Sequence, residues 1–550
     1  MSGSDSPTSS TRHSGDFSII STQDAYSNDR SAILDQVSSS WVSSSPWMIR
    51  EILNTIFFFL IPQYDLLTQA VLQGKTYNLA EDRATLLAAA LTCHAISGSA
   101  QAALWNTMDS FVPMIPLLPL SPVDGKYKID DIPVCDSRCT FGSSSHLSLV
   151  KVFVFDKTEW LMSDFAIQMA FTSITPVLFP RLSRLVIPKF KSGLTPNQTL
   201  FLPCLLASPL TDVVVGGIDD SHTFDAFTSV LAFRARNSLQ SISCAWMDLP
   251  RTITSLPSLH TVTIAAPLSN QDVVIADLCE CPSLRRLELC LSKAFPDEPN
   301  SAIRTPKLVF FDHLESLTLS GEYVGICDFL GLLKTRNLQE LQLRPEVQIG
   351  TNKFQAYMTN TMLLLSAQPY QSLKALEITY NGKPEIPIPS FVSPHPSVCR
   401  TFFKGLSALP LACLHFSGPI LIPAVPLNLI TSYFPNLHTL YLPRYRKECV
   451  PTWDDLHSLA RNAPKLRHLG TRIQTRPIQR NPPASNHCLD TLYVYSSQIE
   501  DTWYATEQLD QSFPYLRKVT TGSTASAECQ AGWKEVEELL GLCQRSRRRF

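Results

Sequence analysis

One six-residue pattern recurs along most of this chain: apolar residues at positions one, four and six with mainly polar residues between, as in 284–289 (LRRLEL), 314–319 (LESLTL) and 338–343 (LQELQL). Alternation of this kind belongs to a strand with one buried face, so positions four and six point inward and positions three and five outward. Fourteen hexamers begin at Leu149, Leu182, Leu210, Leu239, Leu259, Leu284, Leu314, Leu338, Leu373, Leu411, Leu437, Leu466, Leu489 and Leu516. The shortest step, Leu239 to Leu259, is 20 residues and the longest, Leu373 to Leu411, is 38, so each interval has room for a second element. Helical spacing fills several of them: Phe224, Phe227 and Leu231; Ile326, Phe329, Leu330 and Leu333; Trp453, Leu456, Leu459 and Ala460. Thr452 and Asp455, before the last of these runs, form a capping box. A unit this small buries its apolar face only against its neighbours, so the pattern predicts an α/β solenoid of leucine-rich repeats, a parallel strand and a helix in each.

The outward positions are where binding chemistry can vary without disturbing the core. They read Thr261 and Thr263, Arg286 and Glu288, Ser316 and Thr318, Glu340 and Gln342, Thr439 and Tyr441, Thr491 and Tyr493. Tyr and Arg are frequent interface anchors. With the neighbouring Glu288 and Gln342, Arg286, Tyr441 and Tyr493 are the candidate partner-contact residues on the concave sheet face. The solenoid is expected over 146–525, although 466–471 (LRHLGT) and 516–521 (LRKVTT) lack an apolar sixth position. A helix carrying Trp533, Val536, Leu539 and Leu540, within a C-terminal segment 526–550, is expected to cap the array.

Upstream the pattern changes. Residues 1–45 contain sixteen serines and few large apolar side chains, the composition of a disordered leader. From Pro46, the residues Trp47, Met48, Ile49, Ile52, Leu53, Ile56, Phe57 and Leu60 recur at three- and four-residue steps, which predicts an amphipathic helix with a wide apolar face. A polar insertion at 63–83 separates it from an alanine-rich helical stretch at 86–103, broken near Gly98 and ending in Leu104 and Trp105. Together these make an all-helical module over 46–109. Five prolines in 110–145 rule out regular helix there and suggest a connector separating the module from the repeats.

Net charge is -2, which gives no bulk attraction for nucleic acid or an acidic membrane. The 15 cysteines form no C-x-x-C pair, and Cys279 and Cys281 flank one residue, so reduced and buried thiols are expected. No apolar run is long enough to span a bilayer and the start lacks a signal-peptide core; a soluble protein of the cytoplasm or nucleus is expected. His313, His438 and His468 lie in or beside hexamers and read as outward strand residues. No nucleophile elbow, phosphate loop or metal-ligand spacing appears, so neither an enzyme nor a cofactor is expected.

The stretch 46–60 (PWMIREILNTIFFFL), followed by 89–95 (AALTCHA) and Leu104-Trp105, resembles the F-box. Glu51, Ile52, Leu53, Ile56, Phe57, Leu60, Cys93, Leu104 and Trp105 carry the match, with Ser45-Pro46 where the family has Leu-Pro. The whole chain looks like the F-box proteins with degenerate leucine-rich repeats that fungi carry in large numbers. The resemblance implies docking on the adaptor subunit of a cullin-based (SCF) ubiquitin ligase, and through it on cullin, by Ile49, Ile52, Leu53, Ile56, Phe57, Leu60, Leu91 and Trp105. The repeats would then hold an unidentified protein substrate. The competing expectation is a repeat scaffold with no link to ubiquitin, whose N-terminal helices merely cap the solenoid.

Overall fold

The computed structural model describes residues 46–60, 64–73, 80–92, 94–109, 120–123, 126–129, 146–154, 179–188, 209–216, 221–245, 251–268, 271–292, 308–346, 360–361, 363–365, 370–379, 403–417, 427–442, 450–476, 485–522 and 525–547. The leader 1–45 and most of 110–145 lie outside them. Among the described residues are nineteen strands: β1 Thr107–Met108, β2 Leu120–Val123, β3 Lys126–Ile129, β4 Val152–Val154, β5 Arg184–Ile187, β6 Asp212–Val215, β7 Ser241–Cys244, β8 Thr261–Pro267, β9 Arg286–Leu291, β10 Val309–Phe310, β11 Ser316–Glu322, β12 Leu333–Lys334, β13 Glu340–Glu346, β14 Ala375–Thr379, β15 Cys413–Ser417, β16 Thr439–Leu442, β17 His468–Thr471, β18 Thr491–Tyr493 and β19 Lys518–Thr520. Fifteen of them form one sheet whose strands follow one another in chain order. Every pairing in that sheet is parallel, from β1 against β4 to β18 against β19. The chain is an α/β leucine-rich-repeat solenoid, and each of the fourteen hexamers supplies one strand.

Register is set at one edge by a repeated hydrogen-bond fork. The position-two carbonyl of each repeat accepts the N–H groups of positions two and three of the next: Arg285 O from Glu315 N at 2.8 Å and Ser316 N at 3.0 Å, then Glu315 O from Gln339 N at 2.8 Å and Glu340 N at 3.0 Å. Equivalent positions therefore line up across the sheet, as in Arg286, Ser316, Glu340 and Ala375. Positions four and six are buried beneath the sheet, with Leu287, Leu289, Leu317, Leu319, Leu341 and Leu343 all inside. Fully burying such a side chain stabilises the fold by about 1.5–3 kcal/mol. The degenerate hexamer at 466 keeps the arrangement by burying Thr471, whose hydroxyl donates 3.1 Å to the Arg472 carbonyl. The predicted helices pack against the inner face: Ser221–Arg234, Tyr323–Leu332 and Trp453–Asn462, the last with Asp455 accepting from the Thr452 N–H at 2.9 Å. Burial raises the Cys281 thiol to about 12, with Cys279 and neighbouring carboxylates adding to the effect, so it stays protonated.

The first repeat corrects the reading by one residue. Val152, not Lys151, pairs with the position-three residue Arg184, so the unit begins at Val150 rather than Leu149. Phe153 then enters the main core, while Val152 and Val154 turn to the open face. A slip of one residue exchanges the two faces of a strand, and here both faces of the sequence KVFV are apolar enough to allow it.

The described residues of the N-terminal region include four helices: α1 Pro46–Phe58, α2 Tyr64–Leu72, α3 Ala80–Thr92 and α4 His94–Asn106. The break in the alanine-rich stretch falls between Thr92 and His94, and Gly98 lies inside α4. The insertion expected to be polar loop contains α2 instead, with Leu67 and Val71 buried. Helix α4 runs straight into β1, which the hexamer pattern misses because it is two residues long. Arg83 of α3 pairs with Asp109 just beyond β1. The expected separation of module from repeats is thus replaced by a shared sheet, and the described part of 110–145 is the antiparallel hairpin β2–β3. At the other end, helix Ala527–Arg547 buries Trp533, Val536 and Leu540 over the last strand. The Trp533 indole N–H donates to the Ser497 carbonyl at 2.7 Å.

Candidate functional site

Two surfaces carry the residues that the sequence singles out. On the open face of the sheet, Arg286 and Glu288 lie on β9 and Gln342 on β13, with β11 between them. Arg344, which the sequence reading passed over, joins the set: its guanidinium donates to Glu288 Oε1 at 3.0 Å and to Gln342 Oε1 at 3.0 Å. Arg286 remains exposed beside this network.

Tyr441 and Tyr493 sit further along, separated from that group by β14 and β15. Those strands contribute Glu377 and His415, also at outward position five, which the sequence reading did not select. His415 Nδ1 lies 3.3 Å from Glu377 Oε1, and the Thr379 hydroxyl donates to the same carboxylate at 2.9 Å. These contacts, led by the hydrogen bond from His415, hold the Glu377 carboxyl down at about 2 despite partial burial, so it is ionised at neutral pH. The His415 ring is 5.1 Å from that of Tyr441. Gly470, opposite Tyr441 on the next strand, has no Cβ because the Tyr441 ring occupies that space. Beyond it Tyr493 meets Tyr495 edge-on, with centroids 4.4 Å apart. Tyr495 has φ of 52°, a left-handed conformation uncommon for a non-glycine residue, and it turns the chain just after β18. A run of side chains in lateral contact thus joins Glu377, His415 and Tyr441, with a second aromatic pair beyond Gly470.

The opposite end of this face is covered. Val152, Val186 and Val214, the outward residues of β4, β5 and β6, pack against Leu67 and Val71 of α2, with Val154 and Leu72 at the margin. The first repeats therefore bury apolar residues on both sides, while the outward ion pair of Arg184 and Asp212, 3.5 Å apart, stays partly exposed.

The second surface is on the N-terminal helices. Leu53 and Phe57 of α1, with Leu60 in the turn that follows it, face a small core with Leu86 and Ala90 of α3 and Ala100 and Ala103 of α4. Ile52 and Ile56, one position round the helix, are 57% and 52% exposed, and Leu87 and Leu91 of α3 are 49% and 78% exposed. Of the eight candidate adaptor-binding residues, Ile52, Ile56 and Leu91 are thus available to a partner, while Leu53, Phe57 and Leu60 support them from beneath. Trp105 is not on this surface: it packs against the core of the repeats and lies 5.3 Å from the ring of His146. The Ile49 side chain and Cys93 fall outside the described residues. Among the described residues no helix is long and apolar enough to cross a membrane.

No family model matches the chain, and no curated protein matches it. Among solved structures it is similar to one of the Rad7 and Elc1 complex in yeast, at 15% identity and a TM-score of 0.32, covering 83% of this chain and 97% of that one. The TLR13–ssRNA13 complex aligns at 14% identity and a TM-score of 0.31, covering 71% and 54%. A leucine-rich-repeat protein of Leptospira interrogans aligns at 13% identity and a TM-score of 0.19, covering 59% and 92%.

Proposed function

We propose that this chain is the substrate-recognition subunit of a cullin-type ubiquitin ligase, gripping the adaptor subunit with α1 and α3 and a protein substrate with the open sheet face. The observation that carries this reading is the exposed apolar set Ile52, Ile56, Leu87 and Leu91, which stands beside the buried cluster of Phe57, Leu86, Ala90, Ala100 and Ala103. A helical cap has no use for a second apolar stripe in water, whereas a docking helix does. The chain itself performs no chemistry; it raises the local concentration of its substrate near the transfer machinery. The test is co-purification of the full chain with the ligase adaptor, beside a variant carrying Ile52→Asp and Ile56→Asp. Both positions are half exposed, so the variant keeps its fold and loses adaptor capture, because burying an unpaired carboxylate in an interface costs several kcal/mol or about that order. Capture that survives the double substitution refutes the assignment.

A repeat scaffold unconnected with ubiquitin is the second reading. It draws support from the continuity of α4 with β1 and from the packing of α2 on β4–β6, both of which suit an N-terminal cap. Absence of capture by the unaltered full chain favours it.

A further inference from the structure

The open face changes character along its length. On β9–β14 its outward positions carry carboxylates, among them Glu288, Glu340 and Glu377. Arg344 neutralises Glu288, but Glu377 stays ionised between His415 and Thr379. From β15 to β19 no described residue at positions three, five or seven is acidic, and His468, Arg472 and Lys518 appear there instead. Asp490 lies at the position-two edge and pairs with Arg517 at 3.4 Å, and Glu377 adjoins His415 at the β15 boundary.

The register shows how these groups are arranged. His468 is opposite Thr491, and Thr491 is opposite Lys518, so the two residues share a row with their backbones about 10 Å apart, two strand spacings. The neighbouring row runs Tyr441, Gly470, Tyr493 and Thr520. Gly470 and Gly522 present no side chain between and beside the tyrosines. Burial raises the Tyr441 and Tyr495 phenols, so both keep their protons and can donate hydrogen bonds.

We propose that the β16–β19 end of the open face binds an acidic segment of a partner protein, its glutamate or aspartate carboxylates meeting Arg472, Lys518 and the tyrosine hydroxyls. This deepens the reading of the open face as the protein-binding surface, and it does not depend on adaptor docking. Position along the face is enforced by repulsion, since Glu340 and Glu377 disfavour an acidic chain over the middle repeats and α2 covers the first ones.

The test uses the full chain and fluorescence anisotropy with two labelled peptides of equal length, one glutamate-rich and one lysine-rich. The glutamate peptide binds and the lysine peptide does not, and affinity falls as salt is raised from about 0.05 to 0.5 M. Reversing the charges with Arg472→Glu and Lys518→Glu weakens binding by about tenfold or more, whereas Arg234→Glu, at an exposed position on the helix Ser221–Arg234, leaves it unchanged. An unchanged far-ultraviolet dichroism spectrum and urea midpoint in the reversed variant report that its fold is intact. Equal binding of both peptides, insensitivity to the reversal, or no binding of the glutamate peptide overturns the proposal. Lysine-peptide binding that drops in Tyr493→Ala overturns the acidic specificity alone and leaves the open face as the binding surface.

Discussion

Replacing Leu67 by alanine should release α2 from the sheet while the solenoid stays folded. Leu67 is 2% exposed and Val71 4%, and their contacts are with the outward valines of β4, β5 and β6. A Leu→Ala change at a buried site costs about 2–5 kcal/mol. Helix α2 has nine residues, too few to persist in water without docking, so the loss is felt as local undocking. At 1.4 kcal/mol per factor of ten, the opening equilibrium rises by roughly 30-fold to several thousand-fold. Hydrogen exchange read by mass spectrometry on a peptide covering Tyr64–Leu72 measures it, with a β16 peptide as the reference. The face assignment is tested more sharply by neighbours on β5: Val186→Ser accelerates exchange in α2 only, and Leu185→Ser, which opens the inner core, lowers the urea midpoint of the repeats. Unchanged exchange in α2 after Leu67→Ala, or equal loss of repeat stability from both β5 variants, refutes the reasoning.

Gly470→Ala places a Cβ over Cδ1 of Tyr441 and within 2.8 Å of its Cε1, so the ring must leave its place beside His415. The expected cost is about 1–3 kcal/mol in urea unfolding, with a change in tyrosine near-ultraviolet dichroism. The Glu377 carboxyl is held near 2 in the folded state, below an unfolded value of about 4.3, so its contribution is complete above about pH 4.3 and is lost as pH falls toward 2. Glu377→Gln should flatten stability against pH in that window, and an unaltered acid limb contradicts the pairing with His415. Trp533 is 1% exposed, and Trp533→Ala should cost about 3–5 kcal/mol and promote self-association visible by light scattering, because the last strand loses its cover.

The repeats could be read from the sequence because burial on one face demands alternation, and a strand between two neighbours in a solenoid has only one buried face. That is why the hexamers from Leu239 onward, past the strands that α2 covers, mark their strands and why Glu288, Gln342, Tyr441 and Tyr493 stand at outward positions. Glu377 and His415 obey the same position-five rule and were within its reach. The stripe Ile52, Ile56 and Leu53, Phe57, Leu60 was equally legible as one wide apolar face, but not its division into an exposed and a buried half, which depends on where α3 and α4 pack.

Tertiary structure alone decided the rest. The start of the first repeat depended on which of two apolar faces met α2, and no local pattern distinguishes Val152 from Phe153 in that respect. Position 105 belongs to the helical module by sequence, and only the continuation of α4 into β1 sets Trp105 against the repeat core. The contact of His415 with both Glu377 and Tyr441 joins residues on three strands that the chain separates by whole repeats, and only the common register of a parallel sheet brings them side by side.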